Sequence, residues 1–275
     1  MNSASAAFTN TQALKALRLP SMSRSWQELA VEAAEHAWTH ERFLAALCRL
    51  ELAERGNRRL AAALRAAHLP PGKRLDSFEW GLVPALSRQR VTALSAGDWV
   101  KAHGNCLLFG GSGTGKTHIA AAIGYGLIEA GYTALFIRTT DLVQRLQAAR
   151  RDLALPAYLA KLDRIDCIIL DDLGYVRKDQ SEASILFELI AERYEHRSLI
   201  ITCDRPFADW ASIFADQTMT IAAIDRLVHH ATILEFGSES YRKRTAATRS
   251  HAIASPPKPP VPNTPPTTPR KQSTT

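Results

Sequence analysis

The sequence lacks the features that would place it in a membrane or in an oxidising compartment. No apolar run approaches the roughly 20 residues that a membrane-spanning helix needs. The N-terminus, MNSASAAFTN, has no basic start followed by an apolar block, as a secretory signal would have. The four cysteines are far apart with no CxxC spacing, which argues against a zinc site and indicates reduced core thiols. These absences predict a soluble cytoplasmic protein.

Acidic residues are missing from the C-terminal end, and charge is uneven elsewhere. Residues 241–275 carry seven basic side chains and no acidic ones. Residues 1–104 carry fourteen basic and nine acidic side chains, whereas residues 105–240 carry thirteen and eighteen. This asymmetry indicates that the two ends of the chain contact a polyanion, whereas the central part has a different function.

Composition divides the chain into segments. Residues 11–68 show helical periodicity, and the two prolines and the glycine of HLPPGKRLD then predict a linker. The last 20 residues hold eight of the fourteen prolines and no aromatic residue, so they cannot offset the entropy of folding. We therefore predict four segments: a helical domain at 1–70, a linker with a lead-in helix at 71–104, a second domain at 105–244 and a disordered tail at 245–275.

Five short apolar runs alternate with helical stretches after residue 104. Each run is apolar on consecutive residues, as strands buried on both faces are, and the spacing leaves room for crossover helices. The runs are NCLLFG (105–110), YTALFIR (132–138), DCIILDD (166–172), SLIITCD (198–204) and HATILEF (230–236). They predict an α/β domain with a five-stranded parallel sheet flanked by helices, preceded by a small all-α domain.

A glycine-rich loop follows the first of these strands. Residues 110–117, GGSGTGKT, match G-x-x-x-x-G-K-[ST] between a predicted strand and a predicted helix. Glycines let successive N–H groups point inward around phosphate, the lysine reaches the β and γ phosphates, and the threonine hydroxyl ligates Mg²⁺. No N-K-x-D guanine motif follows, so ATP is the better nucleotide; a small-molecule kinase shares this loop but has little use for a basic helical domain. The predicted nucleotide-binding residues are Gly110, Gly111, Ser112, Gly113, Thr114, Gly115, Lys116, Thr117 and His118.

Two adjacent acids end the strand at 166–172. Asp171 and Asp172 lie at its carboxyl end, where ligands bind in open α/β sheets. Strand alternation sends their side chains in different directions, so we assign Asp171, with Thr117, to Mg²⁺ and Asp172 to activation of the attacking water. The alternative is a pair of acids in a loop. Together with Lys116, these residues predict a Mg²⁺-dependent hydrolase that converts ATP to ADP and phosphate.

Two further residues are candidates for catalysis. Asp204 ends the fourth strand near the expected γ-phosphate and can sense hydrolysis, or else forms a turn before Pro206. Arg226, on a predicted helix, can reach a neighbouring subunit's nucleotide as an arginine finger, or else pairs with Asp225 or caps its helix. The adjacent His229 and His230 would point about 100° apart on that helix, which disfavours a shared metal, so we interpret them as packing or surface residues.

Four arginines form a candidate DNA-binding stripe. On a helix through ERGNRRLAAALR, Arg55, Arg58, Arg59 and Arg65 fall within one arc of about 120°. Such a stripe contacts phosphates without reading bases. The alternative is a solvated face partly paired with acidic neighbours at 51 and 54. Arg177 and Lys178, after the acidic strand, are a second DNA-binding candidate.

Over roughly residues 11–244, the chain resembles the IstB family of AAA+ helper ATPases encoded with IS21-type transposases, and more distantly helicase loaders and replication initiators. Seven ordered blocks carry the resemblance: LKALRLPSMSRSWQELA, ELAERGNRRLAAALRAAHLPPGKRLDSFEW, GGSGTGKTHIA, IILDDLGYV, ERYEHRSLIITCDRPFADW, AIDRLVHHA and ESYRKR. The resemblance implies the site roles given above. Two positions depart from the pattern: AAA+ enzymes usually have Glu where this chain has Asp172, which implies slow hydrolysis, and the family usually has Asn where it has Asp204.

The resemblance also implies partners. A family member would assemble as a homo-oligomer with ATP on double-stranded DNA, and would recruit and stimulate an IstA-like transposase. A helicase loader acting on a replicative helicase is the first alternative, because it shares the ATPase core. A DNA-binding module that holds ATP without turning it over is the second.

Overall fold

The N-terminal part of the molecule is helical. The computed structural model describes residues 3–84, 86–174, 179–214 and 216–237. Its first three helices are α1 (Ser3–Ala16), α2 (Pro20–Glu35) and α3 (His40–Ala66), and α2 packs against both others. Proline suits the first turn of α2 because its missing N–H would have no helical partner there. Thr39 caps α3, since its hydroxyl accepts a hydrogen bond from the Arg42 N–H at 3.3 Å.

A five-stranded parallel sheet forms the centre of the molecule, as the apolar runs predict. Its strands are β1 (Asn105–Phe109), β2 (Ala134–Arg138), β3 (Cys167–Asp171), β4 (Ser198–Cys203) and β5 (Ala231–Glu235). They are arranged in the order β2-β3-β4-β1-β5, and every pairing is parallel. All carboxyl ends therefore lie along one edge of the sheet, and the residues that follow the strands meet there.

Helices cover both faces of the sheet. They are α4 (Arg88–Ala96), α5 (Asp98–Lys101), α6 (Lys116–Glu129), α7 (Thr139–Arg151), α8 (Leu155–Asp163), α9 (Gln180–Arg193) and α10 (Gln217–Val228), with short 3₁₀ helices at Trp80–Leu82 and Phe207–Ser212. The alternation of side chains along β3 builds two cores: Ile168 and Leu170 join the helices α7 to α10, whereas Ile169 joins α4 and α6. This three-layer arrangement holds the strand ends rigidly.

The end of α3 is joined to the sheet domain. Ala67 and Leu69, which follow α3, are buried in the same core as α6. The Phe136 N–H of β2 donates a hydrogen bond to the Ala67 carbonyl at 2.7 Å. The predicted tail at 245–275, together with Arg177 and Lys178, lies outside the described residues.

Candidate active site

A cavity of about 450 Å³ opens at the carboxyl edge of the sheet. Its volume is within the range of small-molecule sites. Three parts of the chain line it: the loop between β1 and α6, the residues that follow β3 and β4, and a segment that precedes α4. The lining residues are Lys73, Ser77, Phe78, Glu79, Val83, Ser112, Gly113, Thr114, Gly115, Lys116, Thr117, His118, Asp172 and Asp204.

The loop between β1 and α6 needs its glycines. Gly110 has a φ of 152°, and an added Cβ would lie 2.7 Å from the Phe236 Cβ. Gly115 has a φ of 102° directly before α6, and an added Cβ would lie 2.9 Å from the Phe78 ring. A side chain at either position would therefore both strain the backbone and collide with a neighbour. The loop ends where α6 begins at Lys116, so the N–H groups and the positive dipole end of that helix face the cavity.

Lys116 is held inside the loop. Its side chain is buried, and Nζ donates hydrogen bonds to the Gly110 and Gly111 carbonyls at 2.6 Å and 2.8 Å. Burial lowers the pKa of Lys116 below its ordinary value, and nearby carboxylates, Asp204 first and Asp172 next, oppose part of that change. The ammonium group therefore has little contact with water. An anion bound in the loop would lie beside it and balance its charge.

Asp171 is the centre of a hydrogen-bond network between three elements. Its carboxylate is buried, and Oδ1 accepts from the Thr117 hydroxyl of α6 at 2.9 Å and from the Thr202 hydroxyl of β4 at 2.7 Å. The Asp171 backbone carbonyl accepts from the Thr139 hydroxyl of α7 at 3.0 Å. The phosphate-loop helix and the acidic strand are therefore connected through side chains distant in sequence.

Asp172 leaves the strand in a different direction. Its φ is 58°, in the left-handed region, and its N–H donates to the Thr202 hydroxyl at 2.9 Å. This bend exposes the Asp172 side chain on the cavity wall while Asp171 stays buried. Non-glycine residues in this region are uncommon, and such strain is concentrated at functional sites.

Asp204 lies across the cavity from the phosphate loop. It follows β4 and is exposed on the cavity lining. A Cβ added to Gly174 would lie 2.6 Å from the Asp204 Oδ1, so glycine there allows the carboxylate to approach the backbone after β3. Lys116 at the start of α6, Asp172 after β3 and Asp204 after β4 therefore border one cavity.

The segment before α4 contributes a wall that the sequence analysis missed, because residues 71–104 read as a linker. Phe78 contacts His118 edge to face, with ring centroids 5.2 Å apart. The His118 Nε2 lies 2.9 Å from the Arg74 carbonyl oxygen, and Arg74 pairs with Glu129 at 2.7 Å. The segment is thus fastened along α6 and adds an aromatic side to the cavity. No local pattern signals this, since the contacts with α6 join residues about 40 or more positions apart.

The oxygen donors at the site fit a hard divalent cation. Mg²⁺ prefers oxygen ligands at about 2.0–2.1 Å in octahedral geometry, which places neighbouring ligands about 2.9 Å apart. The Thr117 Oγ1 and the Asp171 Oδ1 are separated by 2.9 Å. The two residues predicted as metal ligands therefore have suitable chemistry and a suitable separation.

Arg226 is not among the residues that line the cavity. It lies in the last turn of α10, where its guanidinium is 5.2 Å from the centre of the Phe187 ring and donates to the Ala222 carbonyl at 2.9 Å. Among the ion pairs found within the described ranges, none joins Arg226 to Asp225. The side chain is held by its own helix and by an aromatic ring of α9.

Two arginines of the predicted DNA-binding stripe share a buried acid. The Glu51 Oε1 accepts from Arg55 at 2.9 Å and from Arg58 at 3.4 Å, and its side chain is only 3% exposed. The Glu51 Oε2 accepts from the N–H groups of Ser21 and Met22 at the start of α2. Burial tends to raise the pKa of Glu51, but the hydrogen bonds from Arg55 and from these N–H groups outweigh it and lower the pKa overall. Pairing with an acid, the alternative considered for the stripe, therefore holds for Arg55 and Arg58.

The same arginines border a basic surface pocket with residues of α1, the following turn and the start of α2. Lys15, Arg18, Pro20, Arg55 and Arg58 line it. Both paired arginines remain about half exposed, and Arg59 and Arg65 are exposed farther along α3. This end of the helical domain keeps an excess of positive charge.

Comparison with known sequences places the chain among insertion sequence proteins. A family model described as IstB-like ATP binding protein matches residues 12–249. An insertion sequence ATP-binding protein of Sinorhizobium fredii is 55% identical over 234 residues, covering 85% of this chain and 78% of the relative. The ATP-binding protein of insertion sequence IS21 from Pseudomonas aeruginosa is 34% identical, covering 83% of this chain and 86% of the relative.

Solved structures share the fold. The DnaC helicase loader superposes with a TM-score of 0.52 at 20% identity, covering 61% of this chain and 98% of the loader. DnaA from Aquifex aeolicus superposes with a TM-score of 0.52 at 18% identity, covering 68% of this chain and 56% of DnaA. The sheet domain therefore has the P-loop fold of AAA+ ATPases. In the described part of the chain, no helix is both long and apolar enough to cross a membrane.

Proposed function

Because the chain belongs to the family of IstB-like ATP binding proteins, we propose that it is an ATP-dependent helper of transposition. In this proposal it binds ATP with Mg²⁺, assembles on double-stranded DNA, hydrolyses the nucleotide and recruits or stimulates a transposase. The hydrogen bond from Thr117 to Asp171, together with the buried Lys116 that is held by the phosphate-loop carbonyls, carries the ATPase part of the proposal. The names of the insertion sequence relatives support the transposition part.

The cavity suggests how ATP would be held. The triphosphate would lie along residues 110–117, with the loop N–H groups on its oxygens and Lys116 beside the β and γ phosphates. The Phe78 and Val83 side offers apolar contact for the base, and His118 lies next to Phe78. Glu79 and Lys73 add polar groups at the same wall, where they can bind the sugar or the base edge.

Hydrolysis would use the two neighbouring acids in different roles. Thr117 and Asp171 would hold Mg²⁺, which supplies charge neutralisation for the phosphates when bound. Asp172 reaches the cavity wall, so it would orient the attacking water and accept its proton. Asp204 would detect the state of the terminal phosphate from the end of the neighbouring strand β4. The shorter reach of aspartate at position 172, compared with glutamate, favours slow turnover.

Assembly would complete the site. Arg226 does not border the cavity of its own chain, so any role in hydrolysis requires a neighbouring copy. Its position in the last turn of an outer helix is compatible with such a contact. An arginine supplied in trans stabilises transition-state charge and accelerates hydrolysis by roughly 10³–10⁵. ATP would then couple hydrolysis to the formation of a homo-oligomer.

DNA would bind at the basic end of the helical domain. Arg59 and Arg65 are exposed, while Arg55 and Arg58 contribute half-exposed guanidinium groups around the pocket with Lys15 and Arg18. Contacts of this kind bind phosphates and do not select a sequence. Arg177 and Lys178 stay as proposed contacts from outside the described residues. Since the likeness to the DnaC loader is one of fold alone, the insertion sequence relatives favour transposition over helicase loading.

A gel shift with duplex DNA tests the function directly. The protein should retain DNA with ATP and Mg²⁺ and release it with ADP, and affinity should fall steeply as salt increases. Addition of a transposase of an IS21-type insertion sequence should raise strand transfer only with ATP present. Retention of DNA that is indifferent to nucleotide, or capture of a replicative helicase in place of the transposase, would reject the proposal.

A further inference from the structure

Two adjacent histidines converge at the edge of the sheet opposite the nucleotide cavity. The sequence pattern predicts that both lie on a helix, where they would diverge. The structure corrects this expectation, because α10 ends at Val228, His229 caps the helix and β5 begins just after His230. The two rings consequently lie with their centroids 4.0 Å apart.

A carboxylate from another turn joins the histidines. Glu195 follows the end of α9 with a φ of 60°, and its Oε1 lies 3.8 Å from the His229 Nδ1. One ligand atom from each of Glu195, His229 and His230 lies within 4.8 Å of the other two. Within the described part of the chain, no other group of three histidine, cysteine or acidic residues is so arranged.

The chemistry of this group suits a transition metal. Two imidazoles and one carboxylate are a common ligand set for Zn²⁺, with bonds of about 2.0–2.2 Å. Ligands of one tetrahedral ion are then roughly 3.3 Å apart, so atoms that lie up to 4.8 Å apart must close by up to about 1.5 Å. His229 and Glu195 are 52% and 54% exposed, which leaves them free to rotate by that amount. Mg²⁺ is disfavoured, because it prefers a shell of oxygen ligands.

Tyr194 contacts the same nitrogen of His229 that faces Glu195. Its hydroxyl lies 2.8 Å from the His229 Nδ1. The 3.8 Å distance to the Glu195 Oε1 is measured from this same Nδ1. An ion held between Glu195 and His229 would therefore bind Nδ1 and take the place of the Tyr194 hydroxyl, which also hydrogen-bonds to Glu195 and would keep that carboxylate in position.

We propose that Glu195, His229 and His230 bind one divalent transition-metal ion, with Zn²⁺ the best suited. The site lies before β4 and β5, at the amino ends of the strands, and so is about 16 Å, the length of a five-residue strand, from the nucleotide edge. Three protein ligands leave a fourth position for water. The ion would tie the turn after α9 to the turn before β5 and stabilise the fold there.

Zinc titration of the full-length chain, without a polyhistidine tag or nucleotide, tests the proposal. Competition with a chromogenic chelator should give one equivalent of bound Zn²⁺, and added Zn²⁺ should raise the thermal midpoint. Co²⁺ should give the visible absorption of a nitrogen- and oxygen-ligated ion. His230→Ala and Glu195→Gln should each weaken Zn²⁺ binding at least tenfold and remove the thermal shift.

His196→Ala is the matched control, because His196 is an exposed histidine of the same turn that does not belong to the group. This variant should bind Zn²⁺ as the parent does. Absence of Zn²⁺ binding by the parent, unchanged binding by His230→Ala, or an equal loss in His196→Ala would overturn the proposal. Affinity for ATP should be the same in all variants, and His230→Gln replaces His230→Ala if the latter fails to fold.

Discussion

The Thr202 hydroxyl donates a 2.7 Å hydrogen bond to the Asp171 carboxylate and accepts one from the Asp172 N–H. One side chain of β4 therefore positions Asp171 of β3 and the residue that follows it, including the left-handed bend that turns Asp172 towards the cavity. Thr202 is buried and does not line the cavity, so it acts through the two aspartates and not on the nucleotide itself.

Thr202→Val should lower the rate of ATP hydrolysis at least tenfold with little change in ATP affinity. Valine keeps the shape of threonine but leaves the Asp172 N–H without its partner, at a cost of about 1–3 kcal/mol in the free energy of unfolding. Phosphate release measures the rate of hydrolysis and a separate binding titration measures the affinity for ATP, so the two effects can be distinguished. Thr202→Ser retains the hydroxyl and should recover most of the rate; a fall in affinity without a fall in maximal rate would contradict the positioning role.

Asp172→Asn should leave ATP binding intact and reduce hydrolysis by roughly 10²–10⁴, the usual contribution of a general base. The amide keeps the size of the side chain but cannot take a proton from water. The variant should therefore persist on DNA with ATP, as measured by the dissociation rate in a chase. Asp98→Asn changes an exposed acid outside the cavity and should behave as the parent. The prediction would be contradicted if Asp172→Asn dissociated from DNA as fast as the parent does.

Lys116→Met should reduce ATP affinity at least 100-fold without destabilising the nucleotide-free protein. The lost ammonium would make charge-assisted hydrogen bonds, worth about 1.5–3 kcal/mol each, to phosphate. Folding lowers the pKa of Lys116, so the unfolded chain holds this proton more tightly. The lysine therefore opposes folding fully below its folded pKa and progressively less as pH rises from there to the unfolded value.

As pH increases towards 10.5, the ordinary value of the lysine pKa, the unfolding free energy of the parent should accordingly rise relative to that of Lys116→Met. Denaturant titrations at several alkaline pH values measure this difference. Lys101→Met, an exposed substitution beside the sheet, is the control. A variant that binds ATP like the parent would remove Lys116 from the site.

Arg226→Ala should abolish hydrolysis at a neighbour's site while its own site stays intact. Mixing it with Asp172→Asn should restore part of the activity, because the latter chain still supplies Arg226 to a competent Asp172. Phosphate release across a series of mixing ratios is the measurement. Arg151→Ala, an exposed change on α7, should hydrolyse ATP normally. If the mixture stays inactive although both variants assemble, Arg226 does not act in trans.

Glu51→Gln should destabilise the packing of α2 on α3 near neutral pH. The carboxylate pairs with Arg55 and caps α2, and its pKa is lowered from 4.5, so its contribution is present above that value and is lost as pH falls through the folded pKa. The thermal midpoint of the parent should thus decline below pH 4.5 more steeply than that of the variant. Glu54→Gln, on the same helix, is the matched control. Parallel pH curves for parent and Glu51→Gln would contradict this account.

Local patterns were sufficient for much of this protein. Five apolar runs and the turns between them predict the five strands, because a strand buried on both faces must be apolar throughout. The phosphate loop can also be recognised from the sequence, since glycines, a lysine and a threonine within eight residues must all contact the same phosphates. The resemblance to one family rests on such blocks in order, and the family model covers them.

Tertiary structure decided what depends on contacts between distant residues. The wall around Phe78, the sharing of Glu51 by two arginines, the bridge through Thr202 and the meeting of Glu195 with His229 each join different elements. A sequence pattern reflects the periodicity of a single helix or strand. These contacts depend instead on how the helices and strands pack and on where each one ends. The sequence by itself therefore determined the strands and the phosphate loop, and packing alone decided which side chains complete the site.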